Sequence, residues 1–175
     1  MSRKLSFVAL IALTISLINA NTIDQEVENK NVERAIDLTT QLVKITYKIT
    51  LDHQSKKPIS NYVFSLPTAE CDKLSYLAAR DTNKKELKVT NSKNANECSF
   101  AMTLPAASLN PVIQVEAVFV RALIPYPVEI TQAERQLVRY FGSAYFYSPY
   151  KTLSQKTIIH LASRSIESFT PLKPS

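Results

Sequence analysis

The chain reads as an all-β protein, a β-sandwich of about seven short strands with one short helical segment, preceded by a signal peptide. Three observations predict this. Apolar residues recur with period two in several short runs, proline or polar clusters stop each run, and the helix-start signal used after the leader is the modest capping-box spacing of Thr131 and Glu134. Short strands of this number, each with one apolar face, bury those faces best as two packed sheets.

The leader comes first. Arg3 and Lys4 precede the apolar run from Leu5 to Ile18, and Asn19-Ala20 then give way to a polar stretch from Asn21. This pattern assigns residues 1–20 to a secretory signal peptide cut after Ala20. Thr14 and Ser16 interrupt the run, which falls short of the roughly 20 apolar residues of a spanning helix. Removal is therefore favoured over a retained signal anchor, the alternative that bulky Ile18 leaves open. Residues 21–170 are expected to form one luminal domain, and 171–175 a tail carrying Pro171 and Pro174.

From Val43 the odd positions Val43, Ile45, Tyr47, Ile49 and Leu51 are apolar and the even ones polar, which puts one face in a core. His53 to Ser60 reads as a loop into Tyr62, Phe64 and Leu66, a second alternating run that stops at Pro67 and is expected to pair with the first as a hairpin. Leu74, Tyr76 and Ala78 alternate. Leu87 and Val89 form a short run, and Cys98, Phe100, Met102 and Leu104 alternate up to Pro105. Val112 to Leu123 is the most apolar run after the leader and reads as a central strand. Pro125 and Pro127 end it. Thr131 and Glu134 then have capping-box spacing, predicting a helix start that Arg135 to Tyr140 would continue. Thr157, Ile159 and Leu161 propose a last strand. With Gly142 the only glycine, turns at positive φ are expected to use Asn83, Asn91, Asn94 and Asn96.

Charge and cysteine content narrow the class of function. Without Arg3 and Lys4, 19 of the 21 basic residues remain against 15 acidic ones, a net charge of +4. The basic residues are scattered, and Lys56-Lys57 and Lys84-Lys85 make no stripe that could follow a phosphate backbone, so no nucleic-acid partner is expected. Cys71 and Cys98 are the only cysteines. An oxidising lumen favours a disulfide between them, and the chain-entropy model assigns a crosslink over about 28 residues roughly 3.5 kcal/mol. A metal site or a catalytic thiol is the alternative, but His53 and His160 stand alone without ligand spacing.

A catalytic constellation does not emerge. One glycine cannot build a dinucleotide or phosphate-cradling loop, nor a nucleophile elbow, and no cofactor is expected. His53 lies in a lysine-flanked loop, and His160 faces away from Ile159 and Leu161. Asp24, Glu26 and Glu28 fall in a polar segment with nothing to desolvate them. After the leader the sequence holds no N-x-[ST] acceptor. The unusual density is aromatic: six of fifteen aromatic residues fall between Tyr140 and Tyr150. These rings either complete a core or form an exposed ledge, in which Tyr145, Phe146, Tyr147 and Tyr150 are the candidate partner-binding residues.

Five segments carry a resemblance, in order along the chain: Asn31 to Thr39 (NVERAIDLT), Ala122 to Pro127 (ALIPYP), Ile130 to Gln136 (ITQAERQ), Tyr145 to Tyr150 (YFYSPY) and Leu161 to Thr170 (LASRSIESFT). Together they resemble the ribophorin I family, subunit 1 of the endoplasmic-reticulum oligosaccharyltransferase. The resemblance implies a β-rich luminal subunit, itself not an enzyme, in the complex that moves a preassembled glycan from dolichyl diphosphate to Asn of nascent chains. It implies the other transferase subunits as partners, nascent glycoprotein chains as further candidates, and a place in the ER lumen at the membrane. Family members continue into a second luminal domain, a membrane helix and a cytosolic part, whereas no apolar segment of spanning length follows the leader here. Membrane association is therefore expected through the complex. A secreted or soluble luminal binding sandwich acting outside the complex is the alternative, and a small luminal hydrolase a more remote one.

Overall fold

Period-two burial is clearest in strand β2 (Val43–His53), where Val43, Ile45, Tyr47, Ile49 and Leu51 are all buried. The structure is a computed structural model that describes residues 23–93, 97–134, 136–162 and 166–171. The leader, Asn94, Asn96, Arg135, Ser163-Arg164 and the tail from residue 172 lie outside these. Strand β1 (Val27–Leu38) pairs antiparallel with one edge of β2, and β7 (Val112–Phe119) with the other. Strand β4 (Leu74–Arg80) pairs with the far side of β7. Strands β10 (Lys151–Thr152) and β11 (Gln155–Leu161) both run parallel to β1 along its outer edge, completing a first sheet of order β10-β1-β2-β7-β4 with β11 also on β1.

The second sheet has the order β3-β6-β5, from β3 (Ile59–Pro67), β5 (Lys88–Lys93) and β6 (Glu97–Ser108). Its inward residues Tyr62, Phe64, Leu66, Cys98, Phe100 and Met102 join those of β2 and β7 in one core. Tyr47 meets Phe64 edge-on with ring centroids 5.1 Å apart, and Phe64 lies 6.3 Å from Phe100. Each fully buried aliphatic or aromatic side chain contributes about 1.5–3 kcal/mol, so these facing rows are what hold the sheets together. The all-β class stands. A two-stranded ribbon, β8 (Leu123–Tyr126) with β9 (Leu137–Tyr140), lies off both sheets.

Several local expectations are corrected. Strands β2 and β3 do not form a hairpin, because the chain crosses between sheets after His53. The apolar run from Val112 divides at Val120-Arg121, where Arg121 takes φ of 53°, so the central strand ends at Phe119. In β4 a register shift between Leu74 and Tyr76 turns Tyr76 outward and buries Ala79 instead of Ala78. Thr131 and Glu134 do bond, backbone amide and hydroxyl to one carboxylate oxygen, but they close a turn and β9 follows in place of a helix. That interaction holds the Glu134 carboxyl below its usual range. The short helix is α1 (Thr68–Cys71), directly after β3. Positive φ falls on Lys56, Lys84 and Arg121 rather than on the asparagines, among the described residues. At Lys84 the turn is stabilised by Asp81, whose carboxylate accepts from the amides of Asn83 and Lys85.

Strand β1 was not foreseen. Its inward face carries Asn29 and Arg34 among Val27, Val32 and Ile36, and a bulge between Asn29 and Asn31 shifts the phase.

Candidate functional site

The aromatic segment from Tyr140 to Tyr150 packs beside β1 and β3, from Arg34 back to Asn29, and its rings divide into two groups. Tyr150 is only 8% exposed and stacks on Tyr62, with centroids 5.0 Å apart. Its hydroxyl accepts a bond from the Val63 amide at 3.1 Å. Phe146 packs against the core, 5.6 Å from Tyr47 and 5.9 Å from Phe64. Tyr145 and Tyr147 point outward, 55% and 42% exposed. The two alternatives open at the sequence level therefore divide the four candidate rings: Tyr145 and Tyr147 form an exposed ledge, and Phe146 and Tyr150 are the nails that fix it.

This segment has little regular structure, so side chains supply the partners its backbone needs. Glu70, from α1, accepts from the Ser143 amide at 3.2 Å, and Arg34 of β1 donates to the Ser143 carbonyl at 2.5 Å. The Gln155 amide spans the same loop, donating to the Ala144 carbonyl at 3.1 Å and accepting from the Phe146 amide at 2.8 Å. Buried Asn29 donates to the Ser148 hydroxyl at 2.9 Å and to Thr152 at 3.1 Å, and accepts from Tyr62 at 2.9 Å. Tyr147 donates its hydroxyl to Glu97 at 2.9 Å. At Gly142 the Tyr140 phenol lies where a Cβ would stand, so a larger residue there would have to displace that ring.

Burial pushes the phenols of Tyr47, Tyr62, Tyr140 and Tyr150 above the usual range. Tyr147 rises for another reason, the bond it donates to the Glu97 carboxylate. Arg34 is 2% exposed, lies 5.8 Å from the Tyr47 ring centre, and its Nε lacks a hydrogen-bond partner among the described residues. Arg34, Glu70, Tyr145 and Tyr147 line a cavity of about 10 Å³, and a second of about 40 Å³ lies by Thr46, Arg80 and Glu116. Both are far below the roughly 300 Å³ of a small-molecule pocket.

Cys71 and Cys98 are joined in a disulfide, with Cα atoms 6.3 Å apart. It links α1 to the start of β6. His53 is buried at the end of β2, rather than in the loop its lysine-flanked context suggests, and two carboxylates of the polar N-terminal segment, Asp24 and Glu26, lie beside it. Its Nε2 lies 3.3 Å from Asp24 and its Nδ1 accepts from the Ser55 amide at 3.2 Å, with Glu26 3.6 Å away. Asp24, Glu26 and His53 are grouped closely enough to hold a cation, but both imidazole nitrogens already have partners. The Ser55 hydroxyl donates to Glu26 and not to the ring. His160 is exposed on β11. Sequence reasoning missed Arg34, Glu70, Glu97 and Gln155, though one signal was present: each cysteine of the bridge is preceded by a glutamate.

Residues 27–175 match the ribophorin I family. The chain belongs to that family. Its relatives include dolichyl-diphosphooligosaccharide–protein glycosyltransferase subunit 1B of Arabidopsis thaliana, 28% identical over the whole of this chain and 41% of that protein. Subunit 1B of Oryza sativa subsp. japonica is 31% identical over 83% of this chain and 34% of its own length. Subunit 1 of Caenorhabditis elegans is 28% identical over 85% of this chain and 26% of its own. The chain thus spans less than half the length of these relatives. Of the five ribophorin I-like segments, Asn31 to Thr39 covers most of β1, Ala122 to Pro127 contains β8, and Tyr145 to Tyr150 is the ledge. Among the described residues no helix is long and apolar enough to cross a membrane.

Proposed function

We propose that this chain is a non-catalytic luminal subunit, or part of one, of the ER oligosaccharyltransferase complex. It supports transfer of a preassembled glycan from dolichyl diphosphate to Asn of nascent proteins through protein–protein contacts. The names of its ribophorin I relatives, subunits of a dolichyl-diphosphooligosaccharide–protein glycosyltransferase, supply the complex. The observation that carries a contact role is the ledge, where Tyr145 and Tyr147 stand outward from a loop whose backbone is tied down by Arg34, Glu70 and Gln155. Aromatic rings on a pre-ordered loop lose little entropy on binding, which is why such residues dominate interface energetics. The occupants of the ledge are the other transferase subunits, and nascent glycoprotein chains are second candidates. The Cys71–Cys98 bridge agrees with a luminal place, and the leader at residues 1–20 with entry to it.

Affinity purification of the full chain from solubilised ER membranes tests this. The wild-type chain is expected to recover other transferase subunits, and Tyr145→Ala/Tyr147→Ala to lose most of that recovery while staying folded. Equal recovery by the double variant removes the ledge from the interface. Recovery of the chain only from medium, free of transferase subunits, supports the secreted alternative.

A further inference from the structure

The two carboxylates that hold the ledge are the immediate chain neighbours of the two bridged cysteines. Glu70 precedes Cys71 and accepts from the Ser143 amide, while Glu97 precedes Cys98 and accepts from the Tyr147 hydroxyl. One strut rises from α1 and the other from the start of β6, elements from separate parts of the chain that the bridge fastens with their Cα atoms 6.3 Å apart. We infer that Glu70 and Glu97 are positioning residues for the Tyr145–Tyr147 ledge, and that the Cys71–Cys98 disulfide is the clasp that sets their spacing, so the ledge is presented only when the bridge is closed. This deepens the contact role proposed above and rests on it for its consequence in binding.

Opening the bridge acts on the ledge through α1. It is a four-residue helix with no buried residue and no side-chain cap at its start, and Cys71 is the α1 residue that packs against the core. With the bridge open, Glu70 is free to leave Ser143. The chemistry is thiol–disulfide exchange with a dithiol reductant. A reagent thiolate attacks the Cys71 sulfur, the more exposed of the two, and the Cys98 thiolate leaves. The reagent's second thiol then closes its own disulfide and releases Cys71. Two electrons and two protons pass to the protein, and the reagent is oxidised by the same two electrons.

The test needs no partner, so its failure is separable from failure of the contact role. In the full chain, amide exchange is followed at Ser143, Phe146, Ile49 and Val115, and the Tyr147 phenol is titrated by NMR, with and without the dithiol. Reduction is expected to speed exchange at Ser143 by about tenfold or more, the loss of one bond to a charged group. It should also bring the Tyr147 titration down to that of the oxidised Glu97→Gln variant. Phe146, held by Gln155, and the core amides Ile49 and Val115 should keep their protection. Unchanged Ser143 exchange and Tyr147 titration, with both thiols shown free by alkylation, overturn the inference. If reduction opens the whole sandwich, the oxidised Glu70→Ala/Glu97→Ala variant decides: an ordered ledge there overturns it, and a loosened ledge on an intact core supports it.

Discussion

Tyr147 and Tyr150 lie three residues apart, and truncating them should have opposite consequences. Tyr150→Ala removes a ring that stacks on Tyr62 and a hydroxyl that accepts from the Val63 amide, both within the core. Deleting a buried aromatic side chain costs about 3–5 kcal/mol. Leaving the Val63 amide without an acceptor adds about 1–3 kcal/mol, offset in part by relaxation of the site. The total, about 4–6 kcal/mol, is comparable with the whole stability of a marginal domain. Tyr147→Ala gives up one bond on an exposed surface and should cost within about 1 kcal/mol. Urea unfolding of the oxidised chain, followed by circular dichroism, reads both values directly. A Tyr150→Ala loss below about 2 kcal/mol, or a Tyr147→Ala loss above that, would refute the division of the ledge into nails and contact rings.

Two further outcomes follow from the same region. Tyr47, Tyr62, Tyr140 and Tyr150 all have phenols raised above the ordinary value of 10.0 by burial. The unfolded chain loses these protons first, so their contribution is complete below pH 10 and is lost as pH climbs towards the folded values. Tyr62→Phe should flatten that alkaline fall by up to about 1.36 kcal/mol per pH unit, and a slope unchanged in pH-dependent urea melts would contradict it. Asn29→Ala strips partners from Tyr62, Ser148 and Thr152 and should destabilise by about 2–4 kcal/mol. In a double-mutant cycle with Tyr62→Phe, a coupling indistinguishable from zero would show that the amide does not serve that hydroxyl.

Sequence alone carried the all-β class because β2, and β6 from Cys98 to Leu104, alternate without interruption, and an uninterrupted pleat puts every second side chain on one face. It failed at β1 for a physical reason: Asn29 and Arg34 occupy inward positions because their partners, Ser148, Tyr62 and the Ser143 carbonyl, arrive from more than 30 to over 100 residues away. It failed at β4 because a bulge changes the face without any change in composition. The capping-box spacing of Thr131 and Glu134 predicts a helix start, yet only its carboxylate-to-amide half forms, the Thr131 hydroxyl bonding the same carboxylate, and it closes a turn. The richness of the ledge in aromatics was plain, whereas the direction of each ring depended on contacts with Tyr62, Val63 and Phe64, which no local pattern contains.

The parallel seam between β1 and the strands that end the sandwich also bears on how the chain matures. Asn29 and Thr152 sit side by side although 123 residues separate them. At a synthesis rate of 5–20 residues per second, the opening strand waits roughly 6–25 s for its neighbour, with the polar groups of Asn29 and Arg34 still unmatched. Through that interval the growing polypeptide carries an open seam along β1, and the final tightening of the molecule waits until Thr152 and the strand after it have been made.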